Sequence, residues 1–130
     1  MTRQNISSGT PWEAKFGYSR AVRVHDRIVV AGTIAVDAAG ALLHPDDAAA
    51  QATTILDRIE AALEQAGSSL KDVVSLRTYI THMDDANDIG LIFKNRLDGT
   101  MPISTMVVVA ELFAQARVEI EAEAIVGSGR

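Results

Sequence analysis

Between Asp46 and Ala66 the apolar residues fall at helical spacing. Ala48, Ala52, Ile55, Leu56, Ile59, Leu63 and Ala66 form one stripe, and Glu60, Glu64 and Gln65 lie outside it. This stripe constrains the fold more than any other feature, because so wide an apolar face must be buried against another layer. Pro45-Asp46-Asp47 puts acidic residues at the start of the predicted helix, and Gly67 suits a left-handed exit.

The flanking segments have the period of strands. Residues 18–24 and 27–34 predict a β-hairpin around His25-Asp26. Gly32, inside its second strand, marks a bulge or a close approach to the backbone. Residues 69–72 resemble a brief capped turn. Residues 73–81 predict a strand with Val74, Leu76, Thr78 and Ile80 on one face and Val73, Ser75, Arg77 and Tyr79 on the other. Residues 84–97 predict a second helix bearing Ile89, Ile92, Phe93 and Leu97. Residues 103–112 are nearly continuous in apolar side chains, as in a strand covered on both faces. Residues 118–124 alternate strictly, with Glu119, Glu121 and Glu123 on one face. Polar residues 1–16, with Pro11 and the only tryptophan, Trp12, predict an irregular arm that Trp12 and Phe16 pin to a single domain over 17–130.

The order is therefore ββαβαββ, an α+β fold with a mixed sheet and two helices on one face. The second sheet face is left uncovered. Self-association is the economical way to cover it.

Composition excludes several function classes. With 48% hydrophobic and 22% charged residues, the 130-residue chain has globular composition rather than that of a disordered one. Seventeen acids against twelve bases give a net charge of −5, a poor footprint for nucleic acid, so small-molecule or protein partners are expected. The absence of cysteine removes a disulfide scaffold, a thiolate metal site and a cysteine nucleophile. No apolar run approaches the ~20 residues of a membrane span. Met1-Thr2-Arg3-Gln4-Asn5 leads into no apolar segment, so a cytoplasmic, membrane-free protein is expected.

His25, His44 and His82 lack metal-ligand spacing, no Gly-x-Ser-x-Gly occurs, and the glycines form neither a phosphate loop nor a dinucleotide fingerprint. No metal or cofactor is expected. What remains is the row Glu119, Glu121, Glu123. Either it is a solvated strand face balanced by Arg20, Arg23, Arg77 and Arg117, or one carboxylate lies in a cleft and holds a water or a proton.

Several segments taken together carry a family resemblance. They are Tyr18, Val30-Ala31-Gly32-Thr33-Ile34, the helix with Gln51, Leu63 and Ala66-Gly67, Asp72-Val73-Val74, Pro102, and Val118-Glu119-Ile120-Glu121-Ala122. In this order, over roughly residues 18–126, they resemble the Rid (YjgF, or L-PSP) family. The resemblance implies a chorismate-mutase-like fold and a homotrimer with ligand clefts between subunits. It also implies hydrolysis of enamines and imines, such as 2-aminoacrylate, to a keto acid and ammonia. No cofactor is needed, because an imine carbon is already electrophilic. In that chemistry an arginine following Pro-Ala clamps the substrate carboxylate, and a glutamate on the last strand holds the attacking water.

The chain departs from that pattern at the clamp. Pro-Ala-Arg is here Pro102-Ile103-Ser104, Ser-Gly-Gln is Ala31-Gly32-Thr33, and an asparagine of the second helix aligns with Gly90. Glu119 matches the water-holding glutamate and Tyr18 the pocket tyrosine. Arg20, two residues from Tyr18 and on the same strand face, is a candidate replacement cation; the alternative is a surface arginine paired with Glu121 or Glu123. The expected site lies between subunits. Glu119 is its catalytic residue, with a carboxyl that titrates above the ordinary value, and Tyr18, Arg20, Gly32, Thr33, Ser104 and Thr105 contact a small-molecule ligand. The expected function is binding of a small metabolite with hydrolysis of an imine or enamine, its substrate altered because the arginine is Ser104. A trimer that binds a metabolite or a protein without catalysis is the alternative. A ribonuclease fits the net charge poorly.

Overall fold

The computed structural model describes residues 2–129. The predicted stripe forms helix α2 (Ala48–Gln65), in which Ala48, Ala52, Ile55, Leu56, Ile59 and Leu63 are buried. Burying each such leucine or isoleucine contributes about 1.5–3 kcal/mol. Asp47 caps the helix by accepting from the Ala50 amide at 3.0 Å. Gln51 is fully buried on the same face. Its Nε2 donates to the His44 carbonyl, and its Oε1 accepts from the Arg117 amide, so the buried amide is satisfied.

Helix α2 lies on a six-stranded sheet made of β1 (Arg3–Ile6), β2 (Ala21–Val24), β3 (Arg27–Thr33), β4 (Val73–Ile80), β5 (Ile103–Val108) and β6 (Val118–Ile125). The spatial order is β1-β2-β3-β6-β4-β5. Only β4 and β5 pair in parallel, and helix α3 (Ala86–Arg96) lies on the crossover between them. The β2–β3 hairpin turns at His25, which takes the left-handed conformation at φ 53°. Beneath α2 and α3 the core comprises Ile28, Val30, Leu76, Ile80, Ile120, Ala122 and Ala124. The expected α+β architecture, a mixed sheet with two main helices on one face, is the one observed.

Three expectations need correction. Of the expected irregular arm over residues 1–16, the described part, from residue 2, is ordered into elements: β1 pairs antiparallel with β2, and residues Pro11–Phe16 form a short helix, α1. Trp12 does pack on the body, against the small cluster of Ile34, Val36 and Ala116, whereas Phe16 is 67% exposed and pins nothing. In β4 the register against β6 shifts between Val73 and Ser75, which turns Val73 into the core and Val74 outward. Finally, β5 is an edge strand rather than one covered on both faces. The chain supplies one helical layer, so Ile103 is 71% exposed and Val107 41%.

Candidate functional site

The site is built around a defect in the sheet. In the pairing of β3 with β6, Val30 faces Ala122 but Thr33 faces Ile120, so β3 carries one extra residue across Ala31-Gly32. The bulge brings the backbone against the next strand: a β-carbon at Gly32 would lie 3.0 Å from Cδ and Oε2 of Glu119. Both alternatives raised by a glycine inside a strand, the bulge and the close approach, are realised at once.

The carboxylate row separates residue by residue. Glu123 pairs with Arg27 at 2.5 Å on the exposed side. Glu121 accepts a hydrogen bond from the Tyr79 hydroxyl at 2.5 Å, and that bond raises the phenol's pKa further than burial and the Glu121 charge do. Glu119 receives no hydrogen bond from the described residues and forms no ion pair with them. Burial pushes its carboxyl above the usual value, repulsion from Glu121 adds to the rise, and Arg20 partly opposes it. Of the four arginines expected to balance the row, three are engaged elsewhere: Arg117 with Asp85, Arg23 with Asp26 and the Ala66 carbonyl, Arg20 with Glu13. The fourth, Arg77, is the cross-strand partner of Glu121 and stays beside the row.

Arg20 is therefore not a surface residue paired with Glu121 or Glu123. It is 6% exposed, and its Nη1 donates to the Gly32 carbonyl at 2.7 Å and to Thr33 Oγ1 at 3.0 Å. Its Nε lies 3.3 Å from Glu13 Oε2. Glu13 is itself buried and receives the hydroxyls of Ser7, Ser8 and Thr10 together with the Ser8 amide. Burial alone would raise its pKa, but these donors outweigh burial and lower it to about 2. Sequence reasoning missed Glu13. The signal was present in Thr10-Pro11-Trp12-Glu13, whose spacing and proline mark a helix N-terminus.

Tyr18, Arg20, Gly32, Thr33 and Glu119 all line one cleft of about 830 Å³, which Tyr79 and Phe113 also border. The Thr33 hydroxyl is committed inside the protein, since it donates to the Ala31 carbonyl and accepts from Arg20. Ser104 and Thr105 do not join this cleft within one chain. Ser104 pairs with Leu76 and Thr105 with Arg77, so the two point to opposite sheet faces. Ser104 lines a smaller cleft of about 310 Å³ with Gly90 and Met106, against α3. Ser104 and Gly90 thus share one hollow. Among the described residues, no group of three or more His, Cys, Asp or Glu side chains is placed to hold a metal ion. No helix among them is long and apolar enough to cross a membrane.

A sequence profile described as Endoribonuclease L-PSP matches residues 10–126. The chain belongs to the Rid/YjgF family. A YjgF-family protein of Mycobacterium tuberculosis has the same fold at a TM-score of 0.87 and 41% identity, over 96% of this chain and all of that one (100%). The 2-iminobutanoate/2-iminopropanoate deaminase of Rattus norvegicus is 31% identical, over 98% of this chain and 93% of the relative. An uncharacterized protein of Streptomyces coelicolor is also 31% identical, over 96% and 93%. Rid/YjgF membership thus rests on nearly the whole domain, with the glutamate-bearing last strand inside the matched region.

Proposed function

We propose that this Rid-family protein binds a small carbonyl-derived compound beside Glu119 and hydrolyses its imine or enamine form. One observation carries the reading: a half-buried, unpaired carboxylate faces a cleft of ligand size, with its pKa raised. Such a group can take a proton from water as the oxygen attacks the imine carbon. The C=N bond becomes a carbinolamine and the nitrogen gains a proton. The C–N bond then breaks, ammonia leaves, and the oxygen closes to a carbonyl. Water is the only co-reactant. The deaminases among the relatives support this chemistry.

The site is completed between subunits of a homotrimer. Ser104 faces away from Glu119 of its own chain, so only another copy can bring the two together. Exposed Ile103, Val107 and Val29 on the uncovered sheet face support such packing. A nuclease fits less well, because Glu119 and Glu121 would repel a phosphate backbone. The replaced arginine and asparagine positions, Ser104 and Gly90, favour a second reading, a binding trimer without turnover.

The deciding assay generates imines in situ from a panel of amino acids and amines with an oxidase and follows release of ammonia and carbonyl product. Acceleration over the protein-free rate for one substrate class supports the hydrolase. Saturable binding with no acceleration across the panel supports the second reading instead.

A further inference from the structure

The cleft holds a cation that is buried yet not fully used. Arg20 donates from Nε to Glu13 and from Nη1 to Gly32 and Thr33, and no acceptor among the described residues takes the Nη2 hydrogens. Nor is Nη2 sealed in the interior without a partner: Thr78 Oγ1 is the buried side-chain atom left in that state. Nη2 therefore keeps some access to solvent, Arg20 lines the cleft, and the Tyr18 ring centre lies 5.7 Å from the guanidinium carbon.

We propose that Arg20 Nη2 anchors the ligand by donating to an uncharged acceptor oxygen, a carbonyl or amide rather than a carboxylate, and that Glu13 is the residue that positions it. The inference rests on the reading that the cleft holds a small ligand beside Glu119. Two observations select the uncharged class. The Arg20 charge is already met by Glu13 at 3.3 Å, and the charged groups around the same cleft are Glu119, Glu121, Asp37 and Arg58. A carboxylate would enter a region with more acid than base. The two-pronged fork that grips a carboxylate is also unavailable, because Nε and Nη1 are occupied. One free amino group suits a neutral acceptor, which needs a donor and no net charge.

Glu13 fixes this arrangement. Its carboxylate is held by Ser7, Ser8 and Thr10 as well as Arg20, so the guanidinium is aimed by a rigid partner. Neutralising Glu13 would both loosen the aim and release the Arg20 charge, which shifts preference toward anions.

The test titrates 15N-labelled protein with pyruvamide and with pyruvate, equal in shape and different in charge, while following the arginine side-chain N–H resonances. Pyruvamide should move the Arg20 signals saturably, with pyruvate about tenfold weaker or worse, the scale of one charge-assisted hydrogen bond. Arg20→Gln should weaken pyruvamide binding about tenfold, and Glu13→Gln should narrow the preference while shifting the Arg20 Nε–H resonance away from its carboxylate-bonded position. Pyruvate binding as tightly as pyruvamide, Arg20 signals unmoved by either probe, or unchanged affinity in Arg20→Gln would overturn the proposal. Should the variants not fold, the wild-type comparison of the two probes decides alone. The measurement involves no turnover. Binding through Arg20 without imine hydrolysis refutes only the hydrolase, and hydrolysis with Arg20 unmoved refutes only this inference.

Discussion

Gly32 and Glu119 are in contact across the bulge: a β-carbon on Gly32 would sit 3.0 Å from the carboxyl carbon and Oε2 of Glu119. The neighbour it meets is the far end of a flexible side chain, which can move aside by a few tenths of an ångström. Gly32→Ala should therefore leave stability within about 1 kcal/mol of wild type while displacing the carboxylate and reducing imine hydrolysis at least about tenfold. Thermal melting and the rate, measured on one preparation, check this. A variant of unchanged activity would mean that the carboxylate's place against the bulge is unimportant.

Glu119 should hold function at the expense of stability. Its folded pKa is raised, so its contribution to stability is present below the unfolded pKa and is lost as pH rises through the folded value. Above the unfolded pKa the raised folded value costs the fold stability. Glu119→Gln should accordingly melt higher than wild type at pH 7, with the gap closing at low pH. Parallel melting curves at pH 4 and pH 7 provide the measurement.

How much of this was legible depends on where physical constraint meets sequence pattern. Helix α2 was legible because seven apolar residues repeat at one spacing, and β6 because its alternation is strict. The β1 strand was not: Arg3, Gln4 and Asn5 are exposed, only Ile6 is buried, and its pairing is dictated by the backbone of β2. The reading of β5 erred because an apolar run does not say which chain covers it. Pattern and resemblance single out Glu119 and Gly32, which the structure places on one cleft, and Arg20 without its partner Glu13. Glu13 is the clearest omission. A glutamate in a six-residue helix looks solvated until the serine and threonine donors around it are seen in space.

Loss of stability in acid should come in large part from Glu13. Its folded pKa lies near 2, below the ordinary value of 4.5, so its contribution is present above the unfolded pKa and is lost as pH falls toward 2. The shift corresponds to roughly 3 kcal/mol. Wild-type stability should drop between those pH values, and Glu13→Gln should flatten that drop while lowering stability at pH 7. Denaturant midpoints measured against pH test it.

Assembly is expected to be trimeric. The uncovered sheet face and the β5 edge expose Ile103, Val107, Val108 and Val29. Light scattering should report three times the mass of the 130-residue chain at micromolar concentration. Ile103→Lys should shift the population toward monomer and abolish hydrolysis together with assembly. A stable wild-type monomer would remove the shared site.

On the proposed reading, in which Ser104 stands where the family resemblance places a clamping arginine, turnover of 2-aminoacrylate should be slow beside that of neutral imines, since a serine hydroxyl cannot replace a bidentate charged contact worth a few kcal/mol. Relative kcat/KM for the two substrate classes measures this. Faster hydrolysis of the carboxylate-bearing imine would show that a cation holds it after all.

The most direct measurement compares imine hydrolysis by wild type and Glu119→Gln on preparations matched for assembly state and melting temperature above the assay range. The variant should lose at least about a hundredfold in rate, within the ~10²–10⁴ range of general-base catalysis. Equal rates in the two proteins, each above the protein-free rate, would contradict it.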